Sequence, residues 1–553
     1  MDQPSYSAKR TPCVLIILVL CAGSLLRFVD LGSGHLSMDE LSNFYPAQSL
    51  RDGKGFQLPS GHEYLRGADI TRAIALTQTF FQDPELAGRL PAALFGSLNL
   101  ILIAWITWWI AGGWAAFGTA LLLAIYPEAI DQSRLTRFYT YQLNFGLLAL
   151  GCAWRGLAAS AAAATPSASG TPSSARDCYR KAWFWFAAAA LAFLLAVRVH
   201  IVSLSVVMGF GACIAVLAIA DWVIQRNASW RKNVPLQLLA LSLLGGGTFV
   251  ITHWGTLASV LELVTYVPHW ASAVPGSPLT YYWDLNGNFP LLFSLLPAVF
   301  LTVFLCNARL AVLLACWFGV PFLLHSFIFA WKGERFILLA VPALFLAGGI
   351  AAARACGALH RAARAAFAWL PIRTGAAFSA ERAANFFVAV TCLFVLATTP
   401  AFQQALKIPT PVKNQNWRAA QSILEKVAND STSVVGSSMP LPGRFYFTRL
   451  DFTVGMEFLE RALSKGGGPL PVGSPDEYAG VPILPTPASI RNHFPEATRA
   501  FIAIDPQQRS YGNLDPALVE ALEGPSAREL CRGGCADLEL YEFPLDERQS
   551  PTP

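Results

Sequence analysis

The sequence predicts an all-α polytopic membrane protein with a small extracytoplasmic α/β domain at its C-terminal end. Three observations predict it. Of 553 residues, 54% are hydrophobic and only 14% charged, against about a quarter charged in a soluble domain. Apolar runs long enough to cross a bilayer, about 17–25 residues each, recur as far as residue 400. Beyond that point Pro, Gly and charge become frequent, and short β-type runs replace the long apolar ones.

The runs fall near 12–30, 89–111, 114–131, 138–155, 182–198, 199–221, 234–252, 289–306, 310–330, 335–352 and 384–400, about eleven transmembrane helices in all. The first lacks a small-residue cleavage signature and is read as a retained helix. Arg198 and His200 divide 182–198 from 199–221. In the loop 31–88, Ile70, Ala73, Ile74, Thr77, Phe80 and Phe81 recur at helical spacing. That pattern predicts a short amphipathic helix lying on the membrane surface. Residues 158–175 read as a flexible linker, and 353–382 as a basic interfacial helix.

Two domains follow, 1–400 in the membrane and 401–553 outside it. In the second, Trp417–Val427 has helical periodicity, while Ser433–Ser438, Ala500–Ile504 and Leu538–Phe543 read as strands. Most cysteines sit singly in apolar runs as small hydrophobes. Cys531 and Cys535 can form a disulfide if their domain faces an oxidising compartment.

The formal net charge of +5 is too small to argue for nucleic acid, but its distribution is informative. With the N-terminus in the cytoplasm, the inside connections hold Arg155, Arg180, Lys181, Arg231, Lys232, Arg309, Arg361, Arg364 and Arg373. The outside loop 253–288 holds no Lys or Arg, as the positive-inside rule requires. The Ala- and Gly-rich composition points to a bacterial inner membrane, with the C-terminal domain periplasmic.

This topology gathers chemistry on one face. Ser37-Met38-Asp39-Glu40 places two carboxylates just beyond the first helix, where desolvation is costly. Glu63, Arg66, Arg89, Arg134, Arg137, Lys332 and Arg335 fall on the same side. A carboxylate among cations at a lipid boundary suits a phosphate-bearing lipid substrate. The carboxylate can take a proton from a hydroxyl nucleophile, and arginines can hold phosphate through bidentate contacts.

Three segments carry a family resemblance. They are Arg27…Met38-Asp39-Glu40 with Tyr64-Leu-Arg-Gly67 and Glu85-Leu-Ala-Gly-Arg89-Leu-Pro91, then Gln132-Ser-Arg134-Leu-Thr-Arg137-Phe-Tyr139, then Glu334-Arg335-Phe-Ile-Leu-Leu-Ala-Val-Pro342. In order and spacing they resemble membrane glycosyltransferases of the GT-C superfamily, in the branch of the protein O-mannosyltransferases and the lipid A aminoarabinose transferase. The resemblance covers roughly residues 12–400. It implies transfer of a sugar from a polyprenyl-phosphate carrier to a lipid, glycan or protein acceptor outside the cytoplasm. It makes Asp39 the catalytic base and Glu40 its catalytic neighbour. Arg66, Arg89, Arg134, Arg137, Lys332 and Arg335 become the phosphate-holding set. One departure is His62-Glu63-Tyr64-Leu65-Arg66, where the aminoarabinose branch has a lysine-containing loop. Single displacement implies inversion at the anomeric carbon, by analogy with one-step glycosidases.

Structural alternatives stand beside each role. Asp39 can cap a helix beginning at Glu40. Glu63 can contact the sugar or ligate a divalent cation, the one cofactor the sequence admits, with His62 and His269 as further ligand candidates. Arg134 can anchor a helix end, Glu334 can neutralise Lys332 or Arg335, and Arg27 can pair with an acid near the rim. Tyr281-Tyr282-Trp283 fits the interfacial aromatic belt or a sugar-stacking surface. A lipid-linked sugar flippase remains a rival, although it calls for midplane charges and inverted repeats. A non-catalytic assembly partner is the other. Loss of the tail is expected to impair acceptor choice or folding more than chemistry.

Overall fold

The computed structural model describes residues 6–164, 172–224, 233–242, 277–329, 332–369, 380–407, 415–457, 470–531 and 535–545. Its first part is helical: α1 (Tyr6–Phe28), α2 (Met38–Arg51), α3 (Ala68–Thr77), α4 (Pro84–Ala111), α5 (Gly113–Ile125), α6 (Pro127–Ser133), α7 (Tyr139–Ala164), α8 (Pro172–Val199), α9 (Leu204–Ile224), α10 (Thr280–Asn288), α11 (Leu296–Cys306), α12 (Ala308–Leu323), α13 (Val341–Trp369) and α14 (Ala380–Thr398). The chain is a multi-pass membrane protein. Among the described residues seven helices are long and apolar enough to span, or eight if the bent pair α5–α6 is one span.

The shortfall from eleven has local causes. α5 and α6 are bent by 64° where Tyr126 turns extended and Pro127 opens the next helix, because proline lacks an N–H and pre-sets the first helical turn. The 289–306 run breaks at Leu295, leaving Pro290–Ser294 and α11 as separate short helices. The apolar part of α14, Ala383–Thr398, is also short. Most of 234–252 lies outside the described residues. The break between α8 and α9 falls at His200, extended at φ −158° and ψ 135°, whose Nδ1 accepts from Val202 N–H.

Two other expectations are corrected. α3 does not lay its apolar stripe on lipid: Ile70 and Ile74 are buried in the protein core, and Thr77 donates to the Ala87 carbonyl at 2.6 Å. The exposed apolar residues there are Leu76, Phe80 and Phe81. Nor does a separate interfacial helix begin at 353. α13 continues unbroken for 29 residues, about 43 Å at 1.5 Å per residue. Arg309 at the start of α12 pairs with Asp221 near the end of α9 at 2.8 Å.

The C-terminal part opens with α15 (Trp417–Val427), then β1 (Ser433–Ser437), α16 (Pro440–Tyr446), β2 (Phe452–Thr453), β3 (Arg499–Ile504), β4 (Arg528–Glu529) and β5 (Glu539–Pro544). The sheet order is β2-β1-β3-β5-β4, with β2, β1 and β3 parallel and β5 antiparallel to both its neighbours. Period-two alternation builds a core on each face. Val435 and Phe501 join Trp417 and Leu424 on one side, while Val434 and Ile502 join Phe452 and Leu518 on the other. Cys531 and Cys535 form a disulfide. α16 packs against α2, with Phe445 edge-on to Phe44 at 5.4 Å.

Candidate active site

The acidic pair sits at the start of α2, and its two members face different ways. Ser37 is the N-cap: its hydroxyl accepts from Glu40 N–H at 3.4 Å, and Glu40 Oε2 accepts from Ser37 N–H at 2.9 Å. This reciprocal capping box leaves Asp39 without a capping task. Glu40 turns inward and is 1% exposed. Its Oε1 accepts from Arg89 Nε at 2.8 Å and Thr136 N–H at 3.1 Å. Burial pushes its pKa up, but Arg89 and these donors outweigh burial and hold it below the usual value.

Asp39 turns outward, its side chain about half exposed. Its Oδ1 lies 3.7 Å from Arg137 Nη1 and its Oδ2 lies 3.6 Å from Arg335 Nη1. Arg137 also donates to the Asp39 carbonyl at 2.7 Å and to Ser42 Oγ at 3.3 Å. Despite burial, the Asp39 carboxylate raises the Arg137 pKa above its ordinary value. The Nε atoms of Arg137 and Arg335 are buried with no hydrogen-bond partner among the described residues.

Tyr139 lies beneath both guanidiniums, 5.7 Å from that of Arg137 and 6.0 Å from that of Arg335. His200 joins them, stacked on Phe138 with ring centroids 5.0 Å apart and 5.8 Å from Tyr139. Burial lowers the His200 pKa to about 3, with added repulsion from Arg66, Arg137, Arg335 and His325. The imidazole is therefore neutral. Arg66 is exposed and is among the charges that act on His200. Sequence reasoning saw His200 only as a helix interruption.

The remaining basic residues spend their donors on the protein. Arg89, beyond its bond to Glu40, donates to the carbonyls of Leu31, Ser33 and His35 at 3.2, 2.5 and 3.0 Å. Arg134 donates to the Leu26 and Val29 carbonyls at 3.1 and 2.6 Å, closing the end of α1. Lys332 donates to the carbonyls of His325, Ser326 and Phe329 at 2.6–2.8 Å, closing the π-helical turn Leu324–Ile328 that follows α12. Among the described residues Arg27 meets no acid and donates instead to the carbonyls of Gly23 and Leu123.

Glu63 and His62 are exposed on a loop whose Ser60 bonds to residues 477 and 478 of the C-terminal part. His269 lies outside the described residues. Among those described, no three His, Cys, Asp or Glu side chains group so as to hold a metal ion. Tyr281 is fully buried, accepting from Gly333 N–H at 3.1 Å, whereas Trp283 is exposed.

No protein-family model and no curated protein sequence matches the chain. Solved structures do. ArnT from Cupriavidus metallidurans bound to undecaprenyl phosphate superposes with a TM-score of 0.55 at 14% identity, over 97% of this chain and 98% of that one. The archaeal oligosaccharyltransferase AglB from Archaeoglobus fulgidus, in complex with an inhibitory peptide and a dolichol-phosphate, gives 0.54 at 15% identity, over 99% and 75%. This is a GT-C fold. At such identities the likeness is one of fold, and it runs through both parts of the chain. Within the GT-C fold of this protein, Asp39, Arg137, Arg335 and His200 come together from four separate segments.

Proposed function

We propose that the chain is a membrane glycosyltransferase that moves a sugar from a polyprenyl-phosphate carrier to an acceptor hydroxyl on the extracytoplasmic face. The observation that carries the reading is Asp39 half exposed between the guanidiniums of Arg137 and Arg335. Support also comes from the fold, whose solved examples include one bound to undecaprenyl phosphate and one in complex with dolichol-phosphate. Charges at the rim of the bundle fit this reading better than the midplane charges of a flippase.

In this reading Asp39 takes the proton of the acceptor hydroxyl as it attacks the anomeric carbon, which general-base catalysis makes about 10²–10⁴-fold faster. The bond from that carbon to the carrier phosphate breaks, and its electron pair leaves with the phosphate oxygen. Arg66, Arg137 and Arg335 stabilise the charge that grows there. A phosphate beside Asp39 would share the two guanidiniums that the carboxylate engages, making it a freer proton acceptor once the carrier is bound. Glu40, Arg89, Arg134 and Lys332 hold the backbone around the site, and Glu63 stands exposed on the loop before Arg66. Attack opposite the leaving phosphate inverts the anomeric centre.

The test incubates purified protein with radiolabelled polyprenyl-phosphate sugars and a membrane extract, comparing wild type with Asp39→Asn. Transfer should fall at least about 100-fold in the variant. Equal transfer by both proteins removes Asp39 as the base.

A further inference from the structure

The segment that aims Asp39 is also gripped from outside the membrane domain. Leu36 N–H donates to Tyr446 Oη at 2.6 Å, and that hydroxyl donates to Glu85 Oε1 at 3.0 Å. A phenol has one proton to give and a lone pair to offer, and here both are used in buried bonds. The Tyr446 ring stands edge-on to His35 at 4.9 Å. Arg418 of the same domain reaches Glu85 Oε1 at 2.6 Å and covers the Tyr446 ring at 5.4 Å. On the opposite flank, Arg89 holds the carbonyls of Leu31, Ser33 and His35. Leu36 immediately precedes the N-cap Ser37, three residues before Asp39. The start of α2 is thus pinned by α4 from one side and by α16 from the other.

We propose that Tyr446 is a positioning residue for the reaction at Asp39, so that the external domain sets the rate of chemistry and does more than choose the acceptor. The proposal rests on the reading of Asp39 as base. Its logic is geometric: displacing a reacting group by about 1 Å can cost on the order of 100-fold in rate. Tyr446 Oη is what holds the Leu36 amide, while the same domain reaches the His35 ring through the Gln415 backbone. Removing it frees the Leu36 amide while leaving the aromatic packing in place.

The experiment compares full-length wild type, Tyr446→Phe and Arg499→Ala. Arg499 pairs with Asp430 and Glu542 inside the external domain, so its loss weakens that domain without touching the 31–37 segment. Steady-state transfer and amide hydrogen exchange at Leu36 are both measured. Tyr446→Phe should lower kcat about tenfold, leave KM for donor and acceptor within twofold, and speed Leu36 exchange at least tenfold. Arg499→Ala should change none of these. Unchanged kcat in Tyr446→Phe overturns the proposal, as does a raised acceptor KM at constant kcat. So does the same kcat loss in Arg499→Ala, which would mark a general effect of domain stability. If wild type transfers no sugar, the functional reading fails by itself. Leu36 exchange then still judges the restraint: unchanged exchange in Tyr446→Phe overturns it, and faster exchange upholds it.

Discussion

Glu334 adjoins Arg335, the arginine that reaches Asp39. Burial pushes its carboxyl up to about 8, helped by the nearby carboxylates of Glu128, Asp284 and Asp131. At neutral pH it is protonated. As pH rises through about 8 it ionises and puts a negative charge one residue from Arg335. Transfer should therefore decline across this range, and Glu334→Gln should remove the decline in a pH–rate profile. The stability sign is the same: a carboxyl whose folded pKa lies above its unfolded 4.5 contributes most below 4.5, and that contribution is gone above about 8. Glu40 has the opposite sign. Its folded pKa lies below 4.5, so its contribution is present above that value and is lost as pH falls beneath it. Glu40→Gln leaves Arg89 buried against a neutral partner. It should cost about 3–5 kcal/mol in thermal unfolding at pH 7, and less in acid.

At the scale of elements, the site depends on how helices begin and end. Ser37→Ala removes the N-cap of α2, a loss of about 1 kcal/mol. Its effect on transfer should exceed its modest effect on melting, because the same turn carries Asp39. Gly67 precedes α3 at φ +69°, a conformation that favours glycine. An added Cβ there would meet Phe138, the ring that stacks on His200. Gly67→Ala should therefore reduce transfer while α3 itself persists, as circular dichroism and a transfer assay together would reveal. This element logic explains what was legible in the sequence. Asp39, Arg137 and Arg335 stood out because charges at predicted helix ends are few and costly. Arg134 and Lys332 looked identical to them, since their partners are backbone carbonyls, which no side-chain pattern records, and Arg89 did so because its acid, Glu40, lies 49 positions away. His200 was hidden because a histidine between two apolar runs reads as punctuation. Its place in the cluster depends on Phe138 and Tyr139 arriving from another segment.

Across the whole molecule, the membrane helices and the external sheet followed from hydropathy and period-two patterning. The broken runs at 114–131 and 289–306 did not, because hydropathy averages over prolines that split a span. Orientation rests on the positive-inside rule and can be tested directly. In a background with the free cysteines replaced, Glu63→Cys should react with a membrane-impermeant maleimide in intact cells. Arg361→Cys, exposed on the opposite side in this topology, should react only after permeabilisation. The reversed pattern would invert the assignment.

The bond between Leu36 and Tyr446 spans 410 positions of chain, and that separation has a consequence for biogenesis. A growing polypeptide can insert its helices one after another, but the turn beside Asp39 must wait for a tyrosine synthesised near the end. Contacts so remote in sequence form late because loop closure comes first. The corner that carries Asp39 is thus finished only after the last domain has folded, and under the proposed function a partly translated chain would not yet act on lipid substrates.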